Sequence, residues 1–206
     1  MVSDMDTHTF IRENGRPVPI QGISMPGLPW RPTRLLKYMP GAYWAELPPT
    51  LGSAISGVQP LHEWNDWAYA SLLPASYRYT NYQIPSAIVG DFDGDSLVDV
   101  AIHGWNGKTE DRVACLLSNY ASPRGLMVVT GPVSFEPEHH GPGPPLYLEL
   151  LPAGQAFVDS LGNRVTIRTD AIRVIPTKGQ AAIYYYKDGT FHRGRPIDLP
   201  PPDSNR

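Results

Sequence analysis

The order of apolar and polar residues after Tyr79 predicts a chain of short β-strands. Runs rich in β-branched and aromatic residues alternate there with turns containing glycine, proline, asparagine or aspartate, a pattern typical of strands. Two turns, at 160–163 and 187–190, carry the glycine signal of tight hairpins. We expect the first to join two antiparallel strands and the second to join the last two. The predicted strands are residues 86–90, 98–103, 112–118, 126–130, 147–151, 165–167, 171–175, 181–186 and 191–194.

One segment before this region has the periodicity of a helix. Between residues 61 and 73 the apolar positions recur at the spacing of one helix face, and they include Trp64 and Trp67. Pro74 follows the pattern, as proline commonly does after a helix end. The expected fold class is therefore α+β and mainly β: an antiparallel sheet of short strands with one or two helices in the N-terminal third.

Proline content divides the chain into an arm, a domain and a tail. Eight prolines fall in the stretch 17–49, interleaved with large aromatic residues that include Trp30 and Trp44. Because isolated polyproline segments need few large aromatic side chains, we expect an extended arm that packs on the main domain. The alternative is an arm that binds a partner or exchanges between subunits. The expected arm, single domain and disordered tail are residues 1–49, 50–199 and 200–206.

Composition and charge exclude several classes of protein. Hydrophobic residues make up 41% of the chain and charged residues 18%, so enough apolar surface exists for a folded core. The formal net charge of -3 provides no positive field, which argues against nucleic acid as a partner. No apolar run is long enough for a membrane span, and residues 1–30 lack a signal-peptide pattern. The single cysteine, Cys115, is expected to be an inert core residue.

The clearest chemical motif is the acidic segment 91–99, which reads Asp-Phe-Asp-Gly-Asp-Ser-Leu-Val-Asp. Its four aspartates would repel one another in a partly desolvated turn, and a hard cation would relieve that repulsion. Calcium takes about six to eight oxygen ligands, which alternate carboxylates and a backbone carbonyl can supply. Apolar runs on both sides predict that the loop joins two strands. The alternative is a solvated turn in which the aspartates cap backbone amides.

This loop is not an EF-hand, because its twelfth position is Ile102 instead of glutamate and its flanks are strand-like. Residues 88–103 instead resemble the FG-GAP or VCBS-type repeat. Ser96 stands where that family usually has glycine, so a positive φ at this position would cost about 1 kcal/mol. The resemblance implies one structural Ca²⁺ ion with ligands from Asp91, Asp93, Asp95, the carbonyl of Leu97, and Asp99.

The acidic loop occurs once in the sequence. A single copy cannot close a ring of blades, so we expect a one-copy domain instead of a propeller. Residues 182–191 are similar to the closing hairpin of single-copy bacterial proteins of this kind, most of which have no assigned activity.

Candidate catalytic residues are confined to one other segment. The proline-rich stretch 131–146 is expected to be an irregular loop, in which carboxylates and imidazoles could ligate zinc or act as acid and base. Its candidate groups are Glu136, Glu138, His139 and His140. No recognised zinc-ligand spacing, nucleophile elbow, phosphate loop or dinucleotide motif is present. Outside this segment, His103 is close to Trp105 in the sequence, and it is the histidine that we consider as a pocket-lining residue.

Three functions remain open, and the leading one is a non-catalytic, calcium-stabilised binding module. Its partner would be a protein or a carbohydrate, contacted by aromatic residues such as Trp105, Trp30 and Trp44. The second is a hydrolase in which His139 or His140 acts with Glu138. The third is a structural subunit whose N-terminal arm docks on a neighbour. Whether the chain is an enzyme is left open, and the sequence favours a binding role.

The expected cellular compartment depends on how tightly the acidic loop binds calcium. Calcium sites with dissociation constants of about 10⁻⁴ to 10⁻³ M fill only where calcium is abundant, so a weak site favours a location outside the cytoplasm. A cytosolic protein would need a tighter site or another ion. The sequence carries no signal for the oligomeric state or for the biological process.

Overall fold

The computed structural model describes residues 36–39, 42–45, 51, 54–58, 61, 69, 72–77, 80, 82–106, 108–119, 122–132, 134–136, 141–143 and 145–197. These residues form fifteen β-strands and one short 3-10 helix, Ser56–Val58. The first two strands, β1 (Leu36–Met39) and β2 (Ala42–Ala45), form an antiparallel hairpin. Within the described part of the chain, no helix is long and apolar enough to cross a membrane.

Five strands form the first large sheet, in which every neighbouring pair is antiparallel. Each strand pairs with the next along the chain, so the sheet is a simple meander. The register between the last two strands shifts once, between Val113 and Ala114, which marks a β-bulge. The strands are β3 (Gln83–Ile84), β4 (Ala87–Gly90), β5 (Asp99–Trp105), β6 (Glu110–Leu117) and β7 (Arg124–Pro132).

Six antiparallel strands form the second large sheet. A two-stranded hairpin of β8 (Ser134–Glu136) and β9 (Gly141–Gly143) precedes it along the chain. The spatial order of the sheet is β10-β13-β14-β15-β11-β12, which places the β11–β12 hairpin against the last strand of the sheet. The strands are β10 (Leu146–Leu151), β11 (Ala156–Asp159), β12 (Arg164–Thr166), β13 (Ala171–Pro176), β14 (Ala182–Lys187) and β15 (Thr190–Arg195).

The two large sheets pack face to face over a shared apolar layer. Alternate residues of the first sheet, such as Ile88, Ala101 and Cys115, contact alternate residues of the second, such as Leu148 and Ile172. All five are fully buried. Because side chains alternate between the two faces of a strand, the intervening residues of each strand lie on the opposite face of its sheet.

The opposite face of the first sheet is also covered. Val89, Val100 and Leu116 on that face pack against Leu51 and Ile55 from the segment before the sheet. Because both faces are covered, β4 and β5 are almost uniformly buried, whereas the edge strand β7 is only partly buried. The acidic segment therefore interrupts the most deeply buried pair of strands in the described fold.

The structure confirms the mainly antiparallel β character and both hairpin turns. Residues 159–163 connect β11 to β12, and Lys187 pairs with Thr190 across a turn whose central residues, Asp188 and Gly189, have φ of 51° and 87°. Positive φ at both central positions is the geometry that an Asp-Gly turn favours. The helix expected between 61 and 73 lies mostly outside the described residues, so the α part of the predicted class is not shown.

Strands β1, β2 and β3 were not predicted, and two further strand expectations were wrong. Strand β11 was not predicted, because its four residues are followed closely by the turn at 160–163 and carry little alternation. The stretch 131–146, expected to be an irregular loop, instead contains the end of β7, the β8–β9 hairpin and the start of β10. Proline at an edge or at a strand end costs no ladder hydrogen bond, so a proline-rich sequence can still form short paired strands.

Candidate metal centre

The acidic loop joins two neighbouring antiparallel strands, as the sequence predicted. Gly90 at the end of β4 pairs with Asp99 at the start of β5, so both ends of the loop are fixed by the sheet. Gly94 and Ser96 have φ of 85° and 65°, the left-handed region. The amides of these two residues both donate to the Asp91 carboxylate, so the loop curls around that side chain. Ser96 thus has the positive φ that glycine would adopt without strain.

Backbone amides inside the loop are capped by the aspartates themselves. Asp91 accepts hydrogen bonds from the amides of Gly94 at 2.7 Å and Ser96 at 3.1 Å, one on each carboxylate oxygen. Asp93 accepts from the amide of Asp95 at 3.2 Å, and Asp95 accepts from the amide of Leu97 at 2.8 Å. The capping expected of a solvated acidic turn is therefore present, and each carboxylate oxygen still has a lone pair for a cation.

Asp99 is the anchor of the loop. Its side chain is fully buried, and its two oxygens accept from the amides of Phe92 and Ser118, both at 2.8 Å. The Ser118 hydroxyl in turn donates to the carbonyl of Val98. Burial raises the pKa of Asp99 from its ordinary 3.8 to about 8, although the amide of Ser118 opposes that rise, and the charge of Asp93 adds to it. A charged Asp99 is therefore costly unless a cation lies beside it.

Three of the four aspartates converge. One carboxylate oxygen each from Asp91, Asp93 and Asp99 lies within 4.8 Å of the others. Burial raises the pKa of Asp91 and Asp93 as well, and the charge of Asp95 raises both further. Three carboxylates at this separation, partly removed from water, match the oxygen donors of a calcium-sized cation. Asp95 is exposed and lies outside this group, so its role as a ligand, like that of the Leu97 carbonyl, stays a prediction.

A residue next to the second sheet also forms hydrogen bonds with the loop, and the sequence did not suggest it. Asp170, just before β13, accepts a hydrogen bond from the amide of Asp91 at 3.1 Å and donates its own amide to the Asp91 carbonyl at 3.0 Å. Its other carboxylate oxygen accepts from the amide of Ala153. Gly90 leaves the room for this contact, since a Cβ there would lie 2.7 Å from the Asp170 carboxylate. No local pattern marks a residue 79 positions away as a partner of Asp91.

His103 lies on the same face of β5 as Asp99, in a buried polar network. Its Nδ1 is 2.7 Å from the Tyr69 hydroxyl and its Nε2 is 2.8 Å from an Asp111 carboxylate oxygen. The imidazole is 0% exposed, and Tyr69 and Asp111 are also buried. Both ring nitrogens therefore already have partners, and the pocket considered for His103 from the sequence is replaced by a closed network within the sandwich.

The aromatic residues expected to contact a partner have different surroundings. Trp105 is half-buried and packs against a cluster of tyrosines that includes Tyr77 and Tyr147. Trp44 is part of β2, but its side chain is not described, and Trp30 lies outside the described residues. Part of the Trp105 ring is thus accessible, while the rest supports the fold.

The candidate catalytic residues of the proline-rich stretch cannot be placed. Glu138, His139 and His140 lie outside the described residues, and the Glu136 side chain does too, although its backbone belongs to β8. The hydrolase hypothesis that rests on them therefore stays a prediction. The expected disordered tail at 200–206 is likewise outside the described residues.

Comparisons with protein-family models, with curated proteins and with solved structures find no match for this chain. The resemblance of residues 88–103 to FG-GAP and VCBS-type repeats stays a prediction. Function is therefore inferred from the chemistry and geometry of the residues themselves.

Proposed function

We propose that the protein is a non-catalytic binding module in which one calcium ion stabilises the loop between β4 and β5. The observation that carries this proposal is the convergence of Asp91, Asp93 and Asp99, one of them fully buried, within 4.8 Å. Three carboxylates this close repel one another, and burial adds to the cost of charging them. A hard divalent cation would offset both effects at once.

The role assigned to the ion is structural. Its ligands would be Asp91, Asp93 and Asp99, with Asp95 and the Leu97 carbonyl completing the shell, as the resemblance to single-copy FG-GAP-type proteins implies. Asp91 is tied to Asp170 of the second sheet, so an ion held by Asp91 would also secure the loop against that sheet. Metal binding that is possible only in the folded state adds its binding free energy to stability.

The binding role itself rests on the absence of recognised catalytic motifs from the sequence and on the partly accessible ring of Trp105. Aromatic rings that are apolar on one side and accessible on the other are suited to contacts with carbohydrate rings and with protein surfaces. A glycan array probed with the calcium-loaded protein tests whether the partner is a carbohydrate. Binding that Trp105→Ala removes, while the melting temperature still responds to calcium, would support it.

Calcium should stabilise the protein against unfolding, and Asp93→Asn should abolish that effect. At free calcium roughly 100 times the dissociation constant, one site adds about 2.7 kcal/mol to the free energy of unfolding. Differential scanning calorimetry with calcium or with a chelator measures the effect. The side-chain carbonyl that this substitution introduces can still accept the hydrogen bond from the Asp95 amide, so the variant should fold and be at least as stable as the wild type without metal.

Asp188→Asn is the matched control. Asp188 is exposed in a turn with φ of 51°, which asparagine also tolerates, and lies outside the acidic loop. This variant should keep the full calcium response. Equal melting curves with calcium and with chelator for the wild type would refute the proposed site.

A further inference from the structure

A second candidate site lies on the other large sheet, at the end of β15. A cavity of about 280 Å³ opens there, and no residue of the acidic loop lines it. Its volume is near the lower limit of small-molecule sites, so it suits a single small functional group. Five of the residues that line it have polar side chains: Asp159, Ser160, Gln180, Arg193 and Arg195.

Two arginines define the chemistry of this cavity. Arg193 and Arg195 alternate along β15, so both side chains leave the same face of the strand, about 7 Å apart at the backbone. Gly194 between them is buried, and a Cβ there would lie 2.4 Å from the Phe157 ring. The strand that carries both arginines is therefore held tightly against β11.

These two guanidinium groups are unpaired within the described part of the chain, although other arginines are paired. Arg112 forms an ion pair with Glu110 at 2.7 Å, and Arg173 forms one with Glu149 at 2.9 Å. Both residues are exposed, and although their backbones pair within the sheet, their guanidinium groups form no ion pair or hydrogen bond with described residues. Two unpaired cations side by side on a rigid strand attract an anion.

The one carboxylate among the lining residues is held by hydrogen bonds within its own turn, and it keeps its negative charge, so the lining residues carry a formal charge of +1. Asp159 accepts from the amides of Leu161 at 2.9 Å and Asn163 at 2.8 Å, and from the Asn163 side chain at 3.2 Å. Asp159 pairs with Gly194, so its side chain leaves the sheet on the face opposite to the two arginines. The lining keeps a net positive charge on the arginine face.

The neutral groups at the rim add donors of the right kind. Ser160 and Gln180 are exposed at the cavity and offer a hydroxyl and a primary amide. Guanidinium groups bind phosphate and carboxylate oxygens with two parallel hydrogen bonds. A phosphate monoester carries a charge of about -1.5 to -2 near pH 7, which two guanidinium groups can balance, whereas a carboxylate carries only one.

We propose that this cavity binds the phosphate group of a small phosphorylated ligand, with Arg193 and Arg195 as its anion-binding residues. Ser160 and Gln180 supply further hydrogen bonds to the phosphate oxygens. The proposal does not depend on the calcium site, because the two share no residues. An experiment can therefore refute the calcium site or the phosphate site without affecting the other.

Amide chemical-shift mapping of the ¹⁵N-labelled full chain tests the site, with inorganic phosphate, methyl phosphate and acetate as probes at constant ionic strength. The titration is run with chelator, because calcium phosphate precipitates. We expect saturable shifts at Gly194, Arg195 and Gln180 with both phosphates. Acetate should bind about tenfold more weakly or worse, since it has half the charge.

Arg193→Gln and Arg195→Gln should each weaken methyl phosphate binding about tenfold or more, and the double variant should lose it. Both side chains are exposed, so the variants should fold, and dispersed spectra verify this. Lys108→Gln removes an exposed cation from the first sheet and should change nothing. Shifts that persist in the double variant, or that spread over basic residues in general without saturating, would overturn the proposal.

Discussion

Asp99 shows how one buried carboxylate can determine the behaviour of a whole loop. Its two oxygens accept from amides on both sides of it in the chain, Phe92 before and Ser118 after, so the loop geometry depends on this side chain. The same burial that gives these hydrogen bonds their strength raises the pKa of the group. The buried position of Asp99 therefore favours its protonated form unless a bound cation stabilises the charged carboxylate.

The metal-free protein should lose stability as the pH rises from 3.8 to about 8. Asp99 has a pKa of about 8 when folded and 3.8 ordinarily, so within this interval the folded state binds a proton that the unfolded state does not. Stability falls with pH wherever the folded state binds more protons. Urea unfolding with chelator across this interval measures the slope.

Calcium is the control for this pH dependence. A bound cation lowers the pKa of the carboxylates that hold it, so the decline from Asp99 should shrink when calcium is present. A decline of the same steepness with and without calcium would contradict the assignment of Asp99 to the metal centre.

The buried network of His103 leads to a separate expectation about stability. Asp111→Ala leaves a ring nitrogen of His103 buried without its partner, which should lower the free energy of unfolding by about 1–3 kcal/mol. The adjacent Glu110→Ala removes a half-exposed carboxylate that pairs with Arg112 and accepts a long hydrogen bond of 3.4 Å from Asn106, and should cost less than about 1 kcal/mol. Urea unfolding compares the two, and equal costs would mean that the network is not important for stability.

At the scale of elements, the acidic loop is a β4–β5 connection held from three directions. The sheet fixes its ends, the aspartates cap its amides, and Asp170 ties Asp91 to the second sheet. Contact is close enough that a Cβ at Gly94 would lie 2.9 Å from the Thr169 side chain. The loop is thus part of the interface between the sheets, and its stability should affect how they pack.

Ser96→Gly should stabilise this loop by up to about 1 kcal/mol, because it removes the cost of a side chain at φ of 65°. The amide that donates to Asp91 is kept, so calcium affinity should be unchanged or higher. Gly94→Ala is the opposite change, adding a Cβ at φ of 85° against Thr169, and should destabilise. Thermal unfolding and calcium titration of both variants test the pair. A less stable Ser96→Gly variant would mean that strain at this position is not limiting.

At the scale of the whole molecule, the two large sheets place different chemistry at different locations. The first sheet carries the acidic loop between β4 and β5, and β5 also carries the buried His103. The second sheet carries Arg193 and Arg195 on β15, and Asp170, just before β13, accepts a hydrogen bond from the amide of Asp91. A cation and an anion could therefore bind to one molecule at sites that share no residues.

The sequence by itself determined the features that depend on near neighbours along the chain. Runs of β-branched and aromatic residues between turn signals predicted nearly all strands of the two large sheets, and the Asp-Gly signal at 188–189 predicted a hairpin whose φ values require it. The D-x-D-x-D-x-x-x-D spacing marked four aspartates as candidate ligands, and three of them, Asp91, Asp93 and Asp99, lie close together. The strand and hairpin predictions succeeded because turn geometry and residue preference for strands are local properties.

Only the tertiary structure decided which distant groups meet. Local pattern cannot say that Asp170 ties down Asp91, that Tyr69 and Asp111 enclose His103, or that β15 pairs with β11. Strand order and buried partners depend on how two sheets bury their apolar faces against each other, and many pairings satisfy the same alternation. That shared burial also gives Asp99 its raised pKa, so the electrostatics of the candidate metal centre depend on how the two sheets pack.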